Sequence, residues 1–197
     1  MNIKDVDLGE YDPIEENLFD DMLVRQNQLI HELYAADKIR TLPDGSVNHE
    51  LVKDSVYRAL EEVYEADLCL KNKEWKKTEM LTDEEHFKEE MIDAIHFWLE
   101  AMIFRGYYDD ISIEEMIKSA PELDIHSGEA QKKIKNYIFA FTRHAVNAPG
   151  DSSGYSLRAG LEDLFKICKM AGMDAQEIHD TYIKKWEVNR WRIKTDY

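Results

Sequence analysis

The chain has 197 residues, of which 44% are hydrophobic and 11% aromatic, with only 8 Gly and 4 Pro; it is long enough to bury a sizeable core and poor in the turn residues that many short strands require. A formal charge of −16 argues against a nucleic-acid polymer as partner, because phosphate backbones are met by Lys and Arg. No stretch reaches the roughly 18 apolar residues of a membrane span, no apolar leader opens the chain, and Cys69 and Cys168 stand far apart as free thiols, so a soluble cytoplasmic protein is expected.

Taken in order, the periodicity predicts helices throughout and no period-two alternation. Asp12-Pro13 reads as a helix start, with Leu18, Phe19, Met22, Leu23, Leu29, Ile30 and Leu33 at helical spacing to about Asp37. TLPDGSVN breaks the pattern. A second helix is expected from about Glu50 to Lys71, followed by the polar connection KNKEWKKTEM. Thr82 and Glu85 read as a capping box for an apolar helix that ends before Gly106. Ser112 and Glu115 repeat the device for a short helix closed by Pro121. Further helices are expected from about Glu129 to Asn147, from Leu157 to Ala171, and from a cap at Asp174 and Glu177 to about Trp191. APGDSSGYS, between the first two of these, reads as a flexible loop. The fold class is all-α, a helical bundle.

Glu62 and Glu65 on the second helix, and Glu90 and Asp93 on the third, are spaced three apart and so lie side by side on their helices. Packed antiparallel, the two helices would gather four oxygen donors suited to Mg²⁺. With 41 acidic residues in the chain, such pairs also arise by chance, and most are solvated faces. The surroundings separate the cases. Glu62 and Glu65 share a stripe with Ser55, Ala59, Ala66 and Cys69, and Glu90 and Asp93 share theirs with Ala94, Phe97 and Ala101. Acids on an inward-facing stripe are costly unless paired or bound to metal. Glu61 and Glu89 read as flanking residues that aid solubility.

Glu62-x-x-Glu65, 24 residues, and Glu90-x-x-Asp93 resemble the ExxE…ExxD signature of the all-α nucleoside triphosphate pyrophosphatases, which include dimeric dUTPases, the T-even phage dCTPase/dUTPase and MazG proteins. EMIDAIHF is close to the dUTPase and phage versions. The closing stretch from Gly172 resembles the family pattern at Tyr182, Lys185, Asn189, Arg192 and Tyr197, with Trp186 in place of Asn and Asp196 in place of Gly. LVRQNQLIHEL resembles the first motif, with Gln26 and Leu29 retained and Ile30 where dUTPases carry Asn. Trp75-Lys76-Lys77 resembles the segment laid over the substrate.

The resemblance covers about residues 20–105 and 172–197. It implies a Mg²⁺-dependent cleavage of a deoxypyrimidine triphosphate, dUTP first and dCTP next, to monophosphate and pyrophosphate. Glu62, Glu65, Glu90 and Asp93 would be the metal ligands, with Glu62 also activating water. Gln26, Trp75, Lys76, Lys185, Asn189, Arg192 and Tyr197 would bind substrate. His96 would support the carboxylates or sit satisfied in the core. A homodimer is implied, within a single domain over 1–197 whose segment 106–171 is a helical insertion or a mobile or dimer-forming part. A MazG-like enzyme of other base specificity and a non-catalytic helical interaction protein are the alternative readings.

Overall fold

The computed structural model describes residues 1–9, 12–33, 48–70, 82–107 and 109–195. Among them are seven α-helices and no strand: α1 Leu18–Leu33, α2 His49–Cys69, α3 Glu84–Arg105, α4 Ile113–Ile117, α5 Gly128–Asn147, α6 Tyr155–Met170 and α7 Ala175–Thr195, with short 3-10 turns at Ile3–Asp5 and Ala148–Gly150. None of these helices is long and apolar enough to cross a membrane.

The helix at the centre is α3. It buries Phe87, Met91, Ile92, Ile95, Trp98, Leu99 and Met102 around its circumference, the pattern of a helix enclosed by others. It packs along α2 over most of its length and also against α1, α6 and α7. The backbone N–H of Asp83 donates to the Cys69 carbonyl at 3.0 Å, which joins the end of α2 to the start of α3 and makes the pair an antiparallel hairpin. The outer helices are amphipathic. α6 offers Leu157, Leu161, Leu164 and Phe165 to the core, and α5 offers Ile134, Ile138 and Phe141.

Close approach of α6 to α3 depends on Gly160. A Cβ there would lie 2.3 Å from the Trp98 ring, and the same indole donates its Nε1–H to the Leu157 carbonyl at 2.8 Å. A single hydrophobic cluster runs from Phe19 to Ile183 and takes in α4, α5 and α6, so the segment 106–171 shares the core of the rest.

Several helix ends differ from the sequence expectation. Asp12-Pro13 does not start α1: the helix begins at Leu18, where Asn17 Oδ1 accepts the backbone N–H groups of Phe19 and Asp20. Beyond Leu33 the expected continuation to Asp37 lies outside the described residues. The cap of α3 is Asp83, whose Oδ1 accepts the His86 N–H, while the Thr82 hydroxyl turns back to the Leu70 carbonyl. APGDSSGYS is ordered around Asp151, whose carboxylate accepts from Ser153 N, Ser153 Oγ and Ser156 N. Ser112, Ser127 and Asp174 cap their helices as side chains of that type should, and Gly106 closes α3 at a φ of 68°.

Candidate active site

A cleft of about 630 Å³ opens where α1, α3 and α7 meet, with α2 at one end. Gln26, Leu29, Glu32 and Leu33 form the α1 wall, and Lys185, Asn189, Arg192 and Ile193 the α7 wall. Asp93, His96, Phe97 and Glu100 form the floor, with Glu62 reaching in from α2.

The α2–α3 hairpin brings three of the predicted metal ligands together. Single carboxylate oxygens of Glu62, Glu65 and Glu90 all lie within 4.8 Å of one another. The stripe of small residues makes this possible: Ser55, Ala59, Ala66 and Cys69 are buried against α3, so the glutamates between them are held close to it. Partial burial, a hydrogen bond with Glu90 and the charges of Asp93, Glu90 and Glu65 push the Glu62 carboxyl up to about 8. Among the described residues neither Glu62 nor Glu65 has a basic partner, and the His86 imidazole lies 3.0 Å from Glu90 Oε1. An all-oxygen set with surplus negative charge fits a hard divalent cation.

Asp93 stands beside this cluster with its carboxylate already engaged. Lys185 Nζ donates to Asp93 Oδ2 at 2.7 Å and to Glu89 Oε1 at 3.0 Å. Lys185 is buried at 4% exposure, so the lysine assigned to the phosphate tail on sequence grounds is first a counter-charge to α3. Glu89 is half-buried and holds that lysine, which corrects its reading as a solubilising flanker. Burial raises Asp93 to about 6 even against the opposing pull of Lys185. Glu61 is paired with Arg58 on the outer face of α2.

The opposite end of the cleft is built around His96. Its ring stacks on Tyr182 with centroids 3.9 Å apart, and its Nδ1–H donates to Gln26 Oε1 at 2.8 Å. Tyr182 donates to the same oxygen at 2.7 Å. Burial lowers the imidazole to about 3, so the ring is neutral and its Nε2, buried without a partner, is a bare acceptor. His96 therefore holds Gln26 and not the carboxylates. Ile30, where the resembling dUTPases carry Asn, is fully buried in the core, and the neighbouring Leu29 faces the cleft instead.

Asn189 and Arg192 also line the cleft, Arg192 from an exposed position. Trp75, Lys76 and Tyr197 lie outside the described residues. Sequence reasoning missed Glu32 and Glu100, two further carboxylates of the cleft wall and floor. Glu100 is seven residues from Asp93, two helical turns along one face, a signal the sequence did contain. Comparison with known families finds a match to the model described as dUTPase over residues 47–197, which takes in the segment 106–171 and leaves out α1. No curated protein matches the chain.

Proposed function

The chain belongs to the dUTPase family, and from that premise we propose that it is a Mg²⁺-dependent pyrophosphatase hydrolysing dUTP, with dCTP as a further substrate, to the monophosphate and pyrophosphate. The observation that carries the reading is the convergence of Glu62, Glu65 and Glu90 from two helices at the edge of a nucleotide-sized cleft that Asp93 and Glu62 also line. Glu62, Glu65, Glu90 and Asp93 would hold Mg²⁺, which when bound supplies charge neutralisation to the phosphates and acidifies water.

The residues of the chain divide the remaining work. A Glu62 carboxylate oxygen, aimed into the cleft, orients the attacking water and takes its proton. Lys185 keeps Asp93 in place. Arg192, exposed at the mouth, and Asn189, one turn before it, meet the phosphate tail. At the other end Gln26, fixed by His96 and Tyr182, faces the base, with Phe97 and Leu29 supplying apolar surface. The homodimer implied by the resemblance is proposed to cover an exposed apolar row, Tyr57, Tyr64 and Leu68 on α2 with Phe139 and Val146 on α5. The continuous core supports residues 1–197 as a single domain.

The test is pyrophosphate release from dUTP, dCTP, dTTP, dATP, dGTP and UTP, with Mg²⁺ and with chelator. Turnover of dUTP and dCTP that stops in chelator, with poor use of UTP, is expected. A clear preference for dATP or dGTP would move the protein to the MazG-like alternative.

A further inference from the structure

The α7 helix carries two adjacent stripes with different partners. Lys185, Asn189 and Arg192 follow one another at i, i+4 and i+7 and line the cleft. Beside them His179, Tyr182, Trp186 and Arg190 form a second stripe, and every member is tied to α1. His179 Nε2 lies 2.9 Å from Asp21 Oδ2, and the Tyr182 hydroxyl donates to Gln26 Oε1. The Trp186 indole donates its Nε1–H to the Arg25 carbonyl at 2.8 Å, and Arg190 meets both oxygens of Glu32 at 2.7–3.0 Å.

Trp186 joins the last of these contacts into one unit. The guanidinium carbons of Arg25 and Arg190 lie 4.8 and 4.6 Å from its ring, one from each helix, at distances where a cation is attracted by an aromatic face. Trp186 itself is 3% exposed and does not line the cleft. It stands where the resembling pattern has Asn.

We propose that Trp186 is a positioning residue: by locking α7 to α1 through Arg25, Arg190 and Glu32, it fixes the roll of α7 and so aims Asn189 and Arg192 across the cleft. A helix that rolls about its axis carries its neighbouring stripe with it. Without the lock the two binding side chains would have to be ordered afresh at each substrate encounter, which weakens binding more than it slows chemistry at the carboxylates on α2 and α3. The inference rests on reading the cleft-lining stripe of α7 as the phosphate-binding one.

Steady-state kinetics on dUTP at saturating Mg²⁺ with Trp186→Ala, Trp186→Phe and Arg192→Ala test it. Trp186→Ala raises KM about tenfold or more with kcat held within about threefold. Trp186→Phe keeps a ring beside both guanidiniums and recovers most of the loss. An unchanged KM in Trp186→Ala, a fall in kcat alone, or a Phe variant as impaired as the Ala variant overturns the proposal. If Trp186→Ala does not fold, Glu32→Gln decides, with a raised KM expected and an unchanged one overturning. Arg192→Ala separates the two levels: a KM it leaves untouched removes the phosphate-binding reading, whereas a raised KM there beside an unaffected Trp186→Ala removes the lock alone. A chain that turns over no triphosphate overturns both.

Discussion

A carboxyl group pushed up to about 8 by burial and by the acids beside it records that Glu62, Glu65 and Glu90 have been gathered together, while Lys185 pairs with Asp93 next to them. Replacing Glu62, Glu90 or Asp93 by the matching amide is expected to abolish turnover while the helical circular dichroism is kept, because an amide preserves shape and removes the charge a divalent cation needs. Near-normal pyrophosphate release from any of these variants would remove that residue from the site. Glu61→Gln, which breaks only an exposed pair with Arg58, should be mild. The same group sets a pH dependence. Between 4.5 and about 8 the folded chain holds a proton on Glu62 that the unfolded chain has released, so metal-free stability is lost as pH rises through that window and is fully present below it. Asp93, raised to about 6, acts with the same sign. In chelator, the urea midpoint of the native chain relative to Glu62→Gln should fall between about pH 5 and pH 8, and Mg²⁺ should restore it. A difference that stays flat across that range would show that Glu62 does not carry the shift. The paired acids were legible in the sequence because spacing along one helix fixes which side chains share a face. The partners of Lys185 were not, since Glu89 and Asp93 come from a helix about ninety residues away and only packing brings them together.

Among the elements, α3 carries most of the design, and α6 approaches it closely at Gly160. Gly160→Ala would drive a methyl group into the Trp98 ring at 2.3 Å. Trp98 cannot retreat easily, since it donates to the Leu157 carbonyl and packs on Phe141 at 4.8 Å. The expected cost is about 1–3 kcal/mol, seen as a lower midpoint of thermal or urea unfolding. A midpoint equal to that of the native chain would mean that the ring has room to move. The number and order of the helices could be read from hydrophobic period and capping residues, and Ser112, Asp174 and Gly106 acted as their types predict. Where the reading of an end failed, two residues of similar chemistry competed. Asn17 captured the cap of α1 from Asp12, and Asp83 that of α3 from Thr82, because only the backbone path decides which side chain reaches the free N–H groups. APGDSSGYS misled for a related reason: its composition is that of a loop, but one carboxylate with three donors orders it.

For the whole molecule, the exposed row on α2 and α5 is the feature that the monomer leaves unexplained. The Tyr64 hydroxyl lies 3.3 Å from Thr142 Oγ1, so the rows of the two helices adjoin. A second copy laid on this face would shelter side chains that are 48–72% exposed, in a chain whose net charge of −16 otherwise keeps copies apart. Light scattering is expected to give the mass of a dimer for the native chain and of a monomer after Phe139→Glu with Val146→Glu. A native chain that is monomeric at micromolar concentration would remove the proposed dimer. Such a face is hard to find in a sequence, since one exposed Tyr or Phe on a helix looks like any other until the fold shows which of them are neighbours.

Cys69 and Cys168 are both buried, on α2 and α6. Burial, helped by the negative charge of Glu177, drives the Cys168 thiol up to about 12, far from the reactive thiolate. Thiol reagents thus find both cysteines covered while the bundle is closed, and the chemistry at these sulfurs becomes a clock for its opening. One thiol sits on the helix that bears Glu62 and Glu65 and the other on the helix locked to Trp98 through Gly160, so the order in which they are trapped would report which half of the bundle breathes first.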